Sequence, residues 1–223
     1  MDVGVPESEY HGPMNVLVVG AGSRTGRLLV EGAVERGHVV TALAHSSVAL
    51  GDLDRGVRLV PGDVRDGGAV SDAVDGCSAV LLALADATGG SDWADAAEGT
   101  ANVVRSMRRY SVRRLVALSA ATAAPVGEAG HPGFFARFGD PAARAGAVAA
   151  LRRMEVTIRQ SQLDWTLVRA ARLGDGAARS RVRSGPGYVL PGARRIARAD
   201  VAGFMLEELE RTGNVAHAVA IAT

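Results

Sequence analysis

The thirteen residues MNVLVVGAGSRTG, Met14 to Gly26, decide the architecture. A continuous apolar run that ends in glycine reads as a strand buried on both faces of a parallel sheet. After it come Leu28, Leu29, Ala33 and Val34, spaced to form one face of a helix, and Gly37 at the place where a helix stops. Strand, glycine turn and helix together make half of a βαβ unit.

Outward from that unit the alternation repeats. HVVTALAH (38–45) and GVRLVPGD (56–63) read as second and third strands, 65–76 as a short helix, SAVLLALA (78–85) as a fourth strand and TANVVRSMRRY (100–110) as a helix. VRRLVALSA (112–120) is a fifth strand, 142–161 a helix, LDWTLVRA (163–170) a sixth strand and 179–190 a hairpin about Gly185-Pro186-Gly187. An amphipathic helix over 198–213 and a last strand, VAHAVAIA (215–222), close the chain. Strands interleaved with helices predict an α/β doubly wound parallel sheet, the Rossmann fold, with right-handed crossovers. Its 223 residues fit one domain over 14–223 with a small C-terminal substrate-pocket region, preceded by a flexible extension over 1–13. The loop over 121–141, rich in Pro and Gly and holding Phe134, Phe135 and Phe138, reads either as a cover over a pocket or as a hydrophobic plug at the sheet edge.

Composition removes several functions. Every one of the 25 basic residues is Arg, so a P-loop lysine, a Schiff-base lysine and the Tyr-x-x-x-Lys pair of many dehydrogenases are all absent. A net charge of +1 gives no field to steer nucleic acid, and no apolar run approaches membrane-spanning length. Cys77 is the one cysteine and the five His have no ligand spacing, so neither a disulfide nor a metal site is expected. The expectation is a cytoplasmic protein whose partner is a small molecule.

Chemistry concentrates in the glycine turn. Gly20 allows the tight turn, Gly22 lets backbone approach a ligand, and Gly26 lets helix pack on strand; amides at the helix start then suit a pyrophosphate. The sequence G-A-G-S-R-T-G resembles the GATGRTG turn of atypical short-chain dehydrogenase/reductase-like proteins, the NmrA-like and flavin reductase/biliverdin-IXβ reductase-like group. GVRLVPGDVRD, VRRLVALSA, the LDWTLVRAARLGDG stretch and IARADVAGFMLEEL match in order, over about residues 14–222. The resemblance implies that Gly20, Ala21, Ser23, Arg24, Thr25 and Gly26 surround the pyrophosphate, Asp63 and Val64 flank the adenine, Ala83 and Leu84 lie near the ribose, and Ser119 near the nicotinamide. Ser23 stands where the family has its central glycine; serine is a favoured N-cap, and its hydroxyl fits a phosphate.

Cofactor choice turns on the end of the second strand. An acid there binds a ribose 2′-OH, whereas Ala44-His45-Ser46-Ser47 carries none, so NADP(H) is favoured over NAD(H), with Arg24, His45, Ser46 and Ser47 as donors. Two readings of Ser119 stay open: a catalytic group that orients substrate or passes a proton at the carboxyl end of the fifth strand, or a turn serine that caps the next segment. Leu151 stands where flavin-reductase-like relatives often carry histidine. Glu155 and Arg152 read as a solvated helix face, His131 as a surface residue, and Arg169 as a brace for loops near the cofactor, followed by Ala170 where the family has proline.

Three functions compete on these residues. One is NAD(P)H-dependent reduction of a small conjugated or aromatic carbonyl compound. A second is a redox-neutral isomerisation or cyclisation on the same fold, and the third is a non-catalytic dinucleotide sensor of the NmrA kind. Substituting His45→Arg, which adds a charge-assisted phosphate contact, is expected to widen the preference for NADPH over NADH by about tenfold to a hundredfold in calorimetric titration. An unaltered ratio places His45 away from the ribose.

Overall fold

The computed structural model describes residues 12–45, 56–86, 92–123, 141–178, 181–193, 195–211 and 213–223. Expectations for the N-terminal extension before residue 12, for Ser46 and Ser47, and for His131 with the Phe-rich stretch fall outside the described residues. Strand β1 (Asn15–Val19) leads into helix α1 (Arg24–Glu35), then β2 (Val39–Ala44), β3 (Val57–Pro61), α2 (Gly67–Val74) and β4 (Ala79–Leu82). Next are α3 (Asp92–Arg109), β5 (Arg114–Ala120), α4 (Pro141–Arg159), β6 (Asp164–Ala170), β7 (Arg172–Gly174), β8 (Arg183–Pro186), β9 (Arg195–Ala197), α5 (Arg198–Glu210) and β10 (His217–Ala222).

The main sheet has eight strands in the order β3-β2-β1-β4-β5-β6-β10-β8, parallel except for β8. The expected doubly wound sheet is therefore present, and its direction of growth reverses between β1 and β4. Helices α1 and α5 pack together, as do α2, α3 and α4 in succession, which gives three layers around one core. Val16, Leu17, Val18 and Val19 of β1 and Val80, Leu81 and Leu82 of β4 are fully buried, as strands covered on both faces must be. Gly32 admits α5 to α1: a Cβ there would lie 2.7 Å from the Leu206 side chain.

Several elements differ from the sequence reading, three of them with a bearing on the site. Helix α2 starts at Gly67 because the Asp66 carboxylate caps it, accepting from the Gly68 amide at 2.8 Å. Helix α3 begins at Asp92, ahead of the expected 100. Of the segment 179–190, the described part, 181–190, holds one strand in place of the expected hairpin: β8 pairs antiparallel with β10, Gly185 opposite Ala220, and Gly187 at φ +97° follows the strand. Pairing with an open sheet edge satisfies more backbone groups than a self-paired ribbon of this length. The short β7 lies parallel to β9, Leu173 opposite Ile196, just past the carboxyl end of β6.

Because β4 forms one wall of the reversal point, Leu81→Ala is expected to lower stability by about 2–5 kcal/mol in urea titration. Wild-type stability in that variant would contradict the packing described for β4.

Candidate functional site

The glycine turn forms as its residues dictate. Ser23 adopts extended backbone, φ −74° and ψ 162°, and its hydroxyl accepts from the Gly26 amide at 3.0 Å, so it is the N-cap of α1. Gly20 takes φ +78°, and a Cβ there would meet the Ala83 carbonyl oxygen at 3.1 Å. At Gly26 a Cβ would lie 2.1 Å from the Gly20 carbonyl oxygen and 2.8 Å from the Ala21 Cα. Both neighbours are backbone, so only glycine lets α1 sit this close to the end of β1. A cradle bared in this way, at a helix N-terminus beside the sheet's reversal point, fits the pyrophosphate of a dinucleotide.

The other expected contacts gather at the same edge. His45 is exposed directly beyond β2. Asp63 follows β3, close enough to His45 for charge interaction, and Arg65 binds its carboxylate through side chain and backbone; those hydrogen bonds hold the Asp63 pKa down at about 2. Val64 is buried, and its carbonyl accepts from Asn102 Nδ2 at 3.1 Å, which ties the loop after β3 to α3. Ala83, past β4, is fully buried with its amide on the Val19 carbonyl at 2.9 Å, and Leu84 next to it is half-buried. Gly20 to Gly26, His45, Asp63, Val64, Ala83 and Leu84 thus line the carboxyl ends of four adjacent strands.

Ser119 sits across the reversal point, near the end of β5 and opposite Arg169 of β6. It is 1% exposed, and its hydroxyl donates to Glu155 Oε1 at 2.7 Å. Glu155, read as part of a solvated helix face, is instead 4% exposed and paired with Arg169, whose Nε and Nη2 donate at 3.0 and 2.6 Å. Leu151, Glu155 and Ile158 share one face of α4, and both apolar neighbours are buried, so that spacing carries Glu155 inward. Arg152 likewise turns inward, Nε donating to the Ala123 carbonyl at 3.0 Å. Arg169 does brace a loop: Nη1 donates to the Gly187 carbonyl at 2.9 Å, and its guanidinium stacks 3.5 Å from the Tyr188 ring centroid.

A second buried cluster had no counterpart in the sequence reading. Asp86, 5% exposed, accepts from the Thr25 amide and the Thr25 hydroxyl, each at 2.8 Å. Arg198, at the start of α5, donates to both Asp86 oxygens at about 3.0 Å and to Asp175 at 2.7 Å. Arg24 reaches the other Asp175 oxygen at 2.5 Å. The signal in the sequence was slight: an acid after an apolar strand reads as ordinary loop composition.

Among the described residues no three His, Cys, Asp or Glu converge as a metal site, and no helix is long and apolar enough to cross a membrane.

The chain matches the NAD(P)H-binding family over residues 20–212 and belongs to it. A 2-alkyl-3-oxoalkanoate reductase from Stenotrophomonas maltophilia is 38% identical over 123 residues, which cover 53% of this chain and 36% of that one. The match thus spans little more than a third of that relative's length. A wide-type short-chain dehydrogenase/reductase from Veillonella parvula, solved in complex with NADP, superposes with a TM-score of 0.76 at 17% identity, covering 94% of each chain. A Rossmann-fold NAD(P)-binding family protein from Shigella flexneri gives 0.73 at 19% identity, covering 95% of this chain and 94% of that one. These two likenesses are of fold.

Gly26→Ala places a methyl group against backbone on two sides. It is expected to abolish NADPH binding in calorimetry and to lower the melting temperature, while far-UV circular dichroism stays native; retained affinity would remove the turn from the site.

Proposed function

We propose that this member of the NAD(P)H-binding family is an NADP(H)-preferring reductase of a small carbonyl compound, of conjugated or aromatic type. The observation that carries the reading is the Gly20–Gly26 contact, which brings the first turn of α1 against the switch point between β1 and β4. When bound, the nicotinamide supplies a hydride to the carbonyl carbon, and a proton from solvent completes the alcohol. His45 and the absence of an acid after β2 support NADP(H) over NAD(H), with Asp63 already neutralised by Arg65. The relative named as a reductase of 2-alkyl-3-oxoalkanoates supports carbonyl reduction as the reaction.

Ser119 serves this pocket from beneath. Its bond to Glu155 fixes the end of β5 against α4, and with it the position of Ala120 and Thr122, where a substrate beyond the strand ends would rest. The buried ion pair with Arg169 holds the Glu155 carboxylate in place, so the Ser119 hydroxyl has one orientation.

Oxidation of NADPH by a panel of small ketones and quinones, followed at the nicotinamide absorbance, tests the reaction. Turnover is expected with at least one member, and NADPH is expected to outrun NADH. Product formed without NADPH loss would favour the redox-neutral alternative, and binding with neither would favour the sensor. Ser119→Ala is expected to lower turnover by about tenfold to a hundredfold at unchanged NADPH affinity. Loss of melting temperature with normal turnover would assign the residue to the scaffold alone.

A further inference from the structure

Asp86 puts a carboxylate where a phosphate belongs. The sheet order reverses between β1 and β4, so a ligand crevice opens above the carboxyl ends of these two strands. Asp86 ends the short turn Leu84–Asp86 that follows β4, and its side chain lies on the first turn of α1. There it takes the Thr25 amide and hydroxyl at 2.8 Å, while Ser23 takes the Gly26 amide at 3.0 Å. On its far side stands Arg198, 8% exposed, with Nε 3.0 Å from each oxygen and Nη2 at 2.9 Å from one.

A helix-start amide, a hydroxyl and a guanidinium are the groups that hold a phosphate at such a crevice. Here the protein's own acid engages all of them. At 5% exposure, Asp86 also denies a ligand access to the Thr25 amide unless it moves.

We propose that Asp86 is a built-in competitor of the dinucleotide. Its carboxylate holds the Thr25 amide and Arg198, and on binding the cofactor's pyrophosphate takes both over, which makes Arg198 a phosphate-binding residue of the site. Asp175 completes the device. Being largely exposed and bonded to both the buried Arg198 and the exposed Arg24, it keeps both guanidiniums in place while Asp86 withdraws. Affinity for the cofactor is thereby set by the difference between two anions at one place, and not by the glycine cradle alone. The inference rests on the reading that the pyrophosphate lies at the α1 turn.

NADPH titration of the native protein, Asp86→Asn, Arg198→Gln and the double variant tests it. Asp86→Asn is expected to bind NADPH about tenfold to a hundredfold more tightly than the native protein, the size of one charge-assisted contact. Adding Arg198→Gln to that variant is expected to remove the gain. Affinity no greater in Asp86→Asn overturns the competition, and a double variant as tight as Asp86→Asn overturns the phosphate role of Arg198. A structure of the native protein with NADP decides without any variant. An Asp86 carboxylate out of reach of the Thr25 amide supports the exchange, and one still 2.8 Å from it refutes it. If no variant binds NADPH or NADH, the cofactor reading fails and the proposal with it; binding that ignores Asp86 sinks the proposal alone.

Discussion

Nothing larger than hydrogen fits between residue 26 and the carbonyl oxygen of Gly20. That constraint sets the approach of α1 to β1, and most of the molecule follows from it. With α1 this close, its first-turn amides point over the end of β1, and Gly32 on its other face receives α5. The start of α5 then lies beside the loop after β4, which is how Arg198 meets Asp86 across more than a hundred residues of sequence. A larger residue at position 26 would displace the helix, the crevice above the strand ends and the partner of Asp86 together.

Two buried ionic clusters lie near the carboxyl ends of the strands, one on each helical layer. On one side Asp86 and Arg198 join β4, α1 and α5; on the other Glu155 and Arg169 join α4 and β6, with Ser119 of β5 attached. Both use the flat, forked guanidinium, which contacts two carboxylate oxygens at once and has further donors for backbone or a second acid. Arg169 does this with Gly187 and Arg198 with Asp175. A chain whose basic residues are all arginine can therefore place charge inside its core and still satisfy it, which an ammonium would do less completely.

The sheet and the glycine turn were legible because their signals are local. An apolar run with terminal glycine, or a serine one turn ahead of a buried glycine, has few structural solutions. Glu155 shows where local reading misleads: taken alone it is a charge on a helix, yet Leu151 and Ile158 place it on the buried face. Its partner, Arg169, is named only by the register between β5 and β6, which sequence does not print. Asp86 was less accessible still, since its meaning depends on Thr25 and Arg198, brought together by tertiary packing. The segment 179–190 failed for a related reason, because a strand's choice between itself and a distant edge depends on the edge being open.

Both outermost strands end on proline. Pro61 closes β3 at one margin and Pro186 closes β8 at the other. Proline has no amide hydrogen to offer, so neither margin presents an unbroken row of donors to a strand from another molecule. The strands are also short, five and four residues. An open eight-stranded sheet is otherwise a template for edge-to-edge polymerisation, and these two residues blunt it at both ends. The same chemistry that ends the ladder thus bears on how concentrated the protein can become before its sheets begin to add to one another.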